Sequence, residues 1–328
     1  MVRARQVSVA AAVGAGSVGT VAGATYGLLV EQSRRARTAI GRTTEQPPRA
    51  DGLYPPDGGP VGAAGTAALE LVALGDSTAA GLGCSDPEEL PGVLLARGLA
   101  EETDRPVRLT THAVVGATTR VLGAQVEAAL AGDHPPDAAV IIIGANDVTA
   151  KLSVAGSAER LAAAVRRLRG AGTVVVVGTC PDLGAIRPIP QPLRSLVRTW
   201  SLQLARAQRA AVAESGGHAV AVADLLSPEF LTRPDALFSA DRFHPSAAGY
   251  EAAAALLLPA LCAELGVWGG GPLPVAPLRS ATAEARRPTV RLTSALNRTL
   301  QQRAREGGSA ATGLLQAAER RARRRTGR

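Results

Sequence analysis

Residues 138–147 read AAVIIIGAND, six apolar residues followed by a glycine, an alanine and a polar pair. An apolar run of this length without polar alternation is typical of a strand that is buried on both faces of a parallel sheet. Residues 173–178 have the same character, and three further runs complete a set of five. The five predicted strands are Leu69–Leu74, Val107–Val115, Ala138–Ile143, Thr173–Gly178 and His218–Ala223.

Helix-like segments separate and follow these strands. They lie near residues 88–102, 119–131, 157–170, 193–215 and 246–265. Regular alternation of strand and helix predicts an α/β fold, with a central parallel five-stranded sheet between layers of helices. In such sheets, functional groups gather at the carboxyl ends of the strands.

The rest of the chain divides by composition. Residues 1–42 hold an uncharged stretch, 6–30, with basic flanks, and this stretch is long enough to span a bilayer as a helix. Residues 43–66 are a linker rich in Pro and Gly, 67–268 form one folded domain, and 269–328 form an Arg-rich, largely disordered tail. We expect a membrane-associated protein, or a secreted one if residues 6–30 are part of a cleaved signal. The sequence does not determine on which side of the membrane an anchored protein would lie.

The charge is unevenly distributed. The net charge is +8, but residues 269–328 alone contain 13 Arg against 3 Glu. The folded domain is therefore not basic, and aromatic residues make up only 2% of the chain, so we expect no nucleic-acid partner. The tail could rest on anionic lipid or remain solvated. Three scattered cysteines without a CxxC pair predict no metal site.

Polar motifs follow four of the predicted elements. Ser77 comes directly after the first strand, Gly116 after the second and Asn146 after the third, whereas Asp241 and His244 lie three residues apart before the last helix. Each motif alone has an ordinary explanation, such as a strand end, a turn glycine, a helix N-cap or a surface ion pair. Together they supply a nucleophile, a base with a carboxylate partner, and hydrogen-bond donors for an oxyanion.

The sequence around these residues resembles a known superfamily. The blocks GDSTAAGLG, VGATT, GAND and DRFHPSAAGY are similar to the four signature blocks of the SGNH/GDSL hydrolases, and more narrowly to actinobacterial membrane-associated members. The resemblance implies a flavodoxin-like three-layer αβα fold. It also implies Ser77 as nucleophile, His244 as base and Asp241 as its partner. The oxyanion donors would be Ser77, Gly116 and Asn146, and no metal or cofactor would be needed.

The expected function is that of a serine esterase or acylhydrolase. Its substrates would be lipid or cell-envelope acyl esters, with the segment Pro181–Pro192 setting the acyl-chain length. A thioesterase, a carbohydrate O-deacetylase and a non-catalytic membrane-tethered binding module are the alternatives. The membrane would be contacted through residues 6–30, and the basic tail is a second candidate contact. The sequence leaves the oligomeric state open.

Overall fold

The computed structural model describes residues 24–41, 46–56, 67–270 and 272–273. Within these ranges, the core of the fold is a six-stranded sheet of order β1-β3-β2-β4-β5-β6. The strands are β1 Gly52–Tyr54, β2 Leu69–Gly75, β3 Val107–Thr111, β4 Ala138–Ile142, β5 Val174–Gly178 and β6 His218–Val220. All neighbours from β3 to β6 are parallel.

The sixth strand corrects the prediction of a five-stranded parallel sheet. β1 lies inside the predicted linker 43–66 and pairs antiparallel with β3, with Leu53 opposite Arg108. β1 is only three residues long and Pro55 follows it, so it is too short to show the alternation of apolar and polar residues that predicts a strand. The predicted strand His218–Ala223 is also shorter, because a helix begins at Val222.

Helices cover both faces of the sheet. They are α1 (residues 24–40), α2 Pro91–Thr103, α3 Leu122–Ala129, α4 Ala145–Thr149, α5 Val154–Gly170, α6 Leu193–Glu214, α7 Val222–Thr232, α8 Pro234–Leu237 and α9 Ala247–Glu264. On one face, side chains of α2 and α9 pack on alternate strand residues such as Leu71 and Val140. On the other, α3, α5 and α6 cover the intervening residues such as Val72 and Ile141. The result is the predicted three-layer αβα architecture.

The helix α1 packs on the catalytic domain. Its Leu29 and Ala36 are buried, and the buried Gln32 side chain donates to the Gln191 carbonyl at 2.5 Å and accepts from the Leu193 backbone N–H at 3.0 Å. α1 therefore includes the end of the predicted membrane segment 6–30, whose residues 24–30 lie partly against protein. Residues 6–23 and 274–328 are outside the described residues, so the predicted anchor and most of the tail are too.

The helix α9 is long and apolar enough to cross a membrane by length and composition. It is the single such helix among the described residues, and its Tyr250, Leu257 and Leu261 are fully buried in the core with α2 and the sheet. The packing explains its apolar composition, because a helix that is covered on several sides by protein needs few polar residues.

Candidate active site

The turn after β2 positions Ser77 at the carboxyl edge of the sheet. Gly75 has a φ of +133°, and a Cβ at this position would lie 1.9 Å from the Ile142 carbonyl oxygen. Only glycine allows β2 to lie this close to the end of β4. The chain then bends, and Leu82 N–H donates to the Ser77 carbonyl at 2.9 Å.

A second turn brings Asp241 and His244 together. Ser239 N–H donates to the His244 carbonyl at 2.8 Å, and Arg242 adopts a left-handed conformation with a φ of 56°. Oδ1 of Asp241 accepts hydrogen bonds from the backbone N–H groups of Phe243 and His244 and from the Ser239 hydroxyl, at 2.8–2.9 Å. These bonds hold the carboxylate in one orientation.

The two turns meet and form a hydrogen-bonded chain of three side chains. Ser77 Oγ lies 3.0 Å from His244 Nε2, and His244 Nδ1 lies 2.6 Å from Asp241 Oδ2. Partial burial raises the pKa of Asp241, but the hydrogen bonds from His244 and from the backbone N–H groups outweigh it and lower the pKa to about 2. The carboxylate is thus ionised at neutral pH, and it favours the imidazole tautomer whose Nε2 accepts a proton from the serine.

The helix α9 joins these two turns to each other. Tyr250, fully buried, donates its hydroxyl proton to the Leu82 carbonyl at 2.7 Å. Ser246 caps α9 by accepting from the Gly249 N–H, and its own hydroxyl donates to the Ala236 carbonyl. The distance between the serine and histidine side chains therefore depends on how α9 docks on the sheet.

The predicted oxyanion donors lie on neighbouring strand ends. Within the described residues, the backbone N–H groups of Ser77 and Gly116 donate no hydrogen bond, so both are available to a ligand. Asn146, in the first turn of α4, donates from Nδ2 to the Ala117 carbonyl at 3.1 Å. A side-chain amide has two N–H donors, so this bond leaves one of them for an oxyanion.

Asp76 is a buried carboxylate beside the serine that the sequence reading did not single out. Its Oδ1 accepts from Thr78 N–H at 2.9 Å and its Oδ2 from Gly144 N–H at 3.3 Å. Complete burial raises the pKa of Asp76 to about 6, although these hydrogen bonds and the nearby His244 act to lower it. Asp76 thereby links the Ser77 turn to the end of β4, just before Asn146.

Asp147 is a second buried carboxylate that the sequence reading missed. It accepts hydrogen bonds from the Thr119 backbone N–H at 3.1 Å, the Thr119 hydroxyl at 2.5 Å and the Ser157 hydroxyl at 2.6 Å. The Arg160 guanidinium in turn donates to both hydroxyls. This network ties the loop that carries Gly116 to α4, so it fixes two of the three predicted oxyanion donors relative to each other.

Two buried glutamines hold the strand ends themselves. Gln125 bonds both the N–H and the carbonyl of Gly75, at 2.7 and 2.8 Å. Gln208 accepts from Cys180 N–H at 2.7 Å and donates to the Ile143 carbonyl at 2.9 Å, which bridges the ends of β4 and β5. Both residues lie in helical sequence whose apolar spacing marks a buried face, and a glutamine on such a face is the signal that could have found them.

An apolar cavity of about 90 Å³ has His244 in its wall. The residues around it are mostly aliphatic or aromatic, and they include Pro181, Leu183, Ile186, Leu226, Phe230 and Phe243. The first half of the segment Pro181–Pro192 thus lies next to the predicted base. Among the described residues, no group of three or more His, Cys, Asp or Glu could hold a metal ion.

Comparison with known proteins assigns the chain to a family. A model of the GDSL-like Lipase/Acylhydrolase family matches residues 73–252. A GDSL-like esterase of Mycobacterium tuberculosis is 52% identical over 264 residues, which are 80% of this chain and 84% of that protein. The crystal structure of TesA matches with 25% sequence identity and a TM-score of 0.46. The match covers 60% of this chain and 97% of the TesA chain. The crystal structure of a lipase/acylhydrolase from Enterococcus faecalis matches with 24% sequence identity and a TM-score of 0.44. The match covers 58% of this chain and 93% of that protein.

Proposed function

This chain belongs to the GDSL-like lipase/acylhydrolase family and is an esterase or acylhydrolase, and we propose that it hydrolyses acyl esters through an acyl-enzyme intermediate on Ser77. The observation that carries this proposal is the hydrogen-bonded series from Ser77 Oγ through the His244 ring to Asp241. A serine is a weak nucleophile unless a positioned base accepts its proton, and the series provides that base and its carboxylate partner.

In the proposed reaction, Ser77 Oγ attacks the ester carbonyl carbon while its proton passes to Nε2 of His244. The negative charge on the carbonyl oxygen is stabilised by the N–H groups of Ser77 and Gly116 and by the amide of Asn146. The ester bond then breaks, and the imidazolium protonates the leaving alcohol. A water molecule, deprotonated by the same Nε2, attacks the acyl carbon and releases the acid and free Ser77.

The acyl group is proposed to enter the cavity beside His244. Its aliphatic and aromatic lining suits an alkyl chain and offers few partners for sugar hydroxyls, which favours a lipid or other acyl ester over a carbohydrate O-acetyl substrate. A thioester is the second candidate, because the same cavity and the same three side chains would accept its acyl group. Within this proposal, Pro181, Leu183 and Ile186 set the acyl-chain length.

The proposed place of action is a membrane surface. Residues 6–23 are uncharged and immediately precede α1 in the sequence, and α1 packs on the catalytic domain through Gln32 and Leu29. Such a connection would hold the catalytic domain within a short distance of the bilayer. If a signal peptidase removes the apolar segment, the same domain would be secreted.

The deciding experiment is hydrolysis of a ladder of p-nitrophenyl esters, from acetyl to palmitoyl, by the wild type and by Ser77→Ala. We expect the variant to lose at least about 10⁴-fold in kcat on every ester, because Ser77 Oγ is the hydroxyl hydrogen-bonded to His244 Nε2 among the described residues. The matched control is Ser239→Ala, which removes one bond to Asp241 and retains most of the activity. Equal rates for the wild type and Ser77→Ala would refute the proposal.

A further inference from the structure

A second apolar depression lies on the other side of Phe243, between α1, α4 and the start of α6. We call it the α1 crevice; its volume is about 150 Å³. The buried residues of its floor are Leu29, Ala36, Val148, Ile189, Leu196 and Trp200. Phe243 lines both the crevice and the cavity beside His244.

The rim of the crevice is cationic. Arg37 and Lys151 both line it and are exposed, and no ion pair within the described residues involves either side chain. None of the described lining residues is acidic. An apolar floor with two unpaired cations at its edge is complementary to a molecule with one hydrocarbon chain and an anionic head.

The two terminal segments that lie outside the described residues are poorly suited to fill the crevice. Residues 1–23 contain Arg3 and Arg5 and no acidic residue, and residues 274–328 contain 13 Arg and 3 Glu. Both segments would bring further positive charge to a cationic rim. Since like charges brought together at an interface oppose binding, charge complementarity favours a separate anionic ligand.

We propose that the α1 crevice is a second ligand site that binds a free fatty acid, with the hydrocarbon chain on the apolar floor and the carboxylate between Arg37 and Lys151. The site stands on the geometry of the crevice and does not depend on Ser77 being the nucleophile. That the enzyme itself releases such an acid is the one part of this inference that rests on the proposed lipid-ester substrate.

The position of Trp200 in the floor provides a direct readout. The chain has two tryptophans, and Trp268 packs against the separate core of α2 and α9. In full-length Ser77→Ala/Trp268→Phe protein, Trp200 is the remaining tryptophan, and bromine atoms quench indole fluorescence at contact range. We expect saturable quenching by dibromostearate, and at least about tenfold weaker quenching affinity for its uncharged methyl ester. Equal affinity for the acid and the ester, or no quenching, would overturn the proposal.

Charge reversal at the rim tests the carboxylate position. In the same background, Arg37→Glu/Lys151→Glu is expected to weaken the affinity for dibromostearate about tenfold or more. The matched control, Arg34→Glu/Arg206→Glu, makes the same change in net charge at exposed positions of α1 and α6 that do not line the crevice, and it should bind as before. If both double variants lost affinity for dibromostearate equally, the effect would be one of overall charge, and the proposed site between Arg37 and Lys151 would be rejected.

A footprint at Lys151 gives an independent measurement. Lys151 is the only lysine of the chain, so an amine-reactive reagent modifies this side chain and the α-amino group alone. Stearate should slow modification of Lys151 and leave the rate at the α-amino group unchanged. Faster modification of Lys151 after residues 269–328 are removed, with no effect of stearate on either chain, would identify the tail as the occupant and reject the fatty acid. Ester hydrolysis by protein with intact Ser77 is measured separately, so failure of the proposed function would leave these outcomes unaffected.

Discussion

At the scale of single residues, Asp76 makes a measurable contribution to the pH dependence of stability. Its pKa is raised from an ordinary value of 3.8 to about 6 by burial, so between these two values the folded chain holds a proton that the unfolded chain has released. The free energy of unfolding should therefore fall as the pH rises from about 4 to about 6, by about 3 kcal/mol from this group.

Asp76→Asn removes that titration. The unfolding free energy of the variant minus that of the wild type should become more positive by about 3 kcal/mol between pH 4 and pH 6.5, because the other groups titrate alike in both proteins. Urea denaturation at several pH values measures this difference. A difference that stays constant over this range would contradict the raised pKa of Asp76.

Asn146 is expected to act on the rate more than on stability. Asn146→Ala removes one oxyanion donor, so kcat should fall by about 10²–10³-fold with little change in KM. Thr149→Ala is the control on the same short helix, since the Thr149 hydroxyl donates to the Asn146 carbonyl and faces solvent. A kcat for Asn146→Ala within twofold of the wild type would remove Asn146 from the oxyanion site.

Sequence patterns can identify site residues whose partners lie within a few positions in the chain. Asp241 and His244 are three residues apart and meet within one turn, which can be expected from the sequence. Apart from the local bond between Thr78 N–H and Asp76, the supporting bonds of Asp76, Asp147 and Gln208 join residues that are between 10 and 68 positions apart. Such partners depend on how the elements pack, and no short motif contains both members of these pairs.

At the scale of the elements, α1 is attached to the domain by apolar packing of Leu29 and Ala36 and by the Gln32 side chain, which makes two hydrogen bonds. Gln32→Ala would leave the Gln191 carbonyl and the Leu193 N–H without these partners in a partly buried place, at a cost of about 1–3 kcal/mol. We expect faster amide hydrogen exchange in residues 24–40, with the exchange of β4 and β5 unchanged. Thr38→Ala, on the exposed side of α1, is the control, and equal exchange in both variants would argue against this attachment.

The elements that the sequence predicts best are the long periodic ones. α5, α6 and α9 and the strands β2, β4 and β5 are found close to their predicted positions, whereas β3 and β6 begin as predicted but end earlier, at Thr111 and Val220. α7 was missed because residues 218–223 continue an apolar run, and apolar runs of this length do not distinguish a strand from a buried helix. β1 was assigned to a linker because its three residues obtain their conformation from pairing with β3.

At the scale of the whole molecule, catalytic and membrane-binding groups are expected to lie in different parts of the chain. Ser77, Asp241 and His244 are all within residues 67–268, and the apolar run 6–23 precedes α1. A chain that lacks residues 1–23 should keep its kcat/KM for soluble esters but lose co-flotation with phosphatidylcholine vesicles. A chain that lacks residues 274–328 should retain both properties. Flotation of the first variant at the level of the full chain would reject residues 6–23 as the anchor.

The contact between Ser77 and His244 joins residues that are 167 positions apart. On a ribosome that adds 5–20 residues per second, the histidine is synthesised on the order of 10–30 s after the serine. Tyr250, which ties α9 to the Ser77 turn, is made later still. Under the proposed mechanism, Ser77 therefore has no base during the time in which residues 78–243 are made, and activity is expected only when almost the whole domain has left the ribosome. A chain that ends before His244 would lack the proposed base and is expected to be inactive.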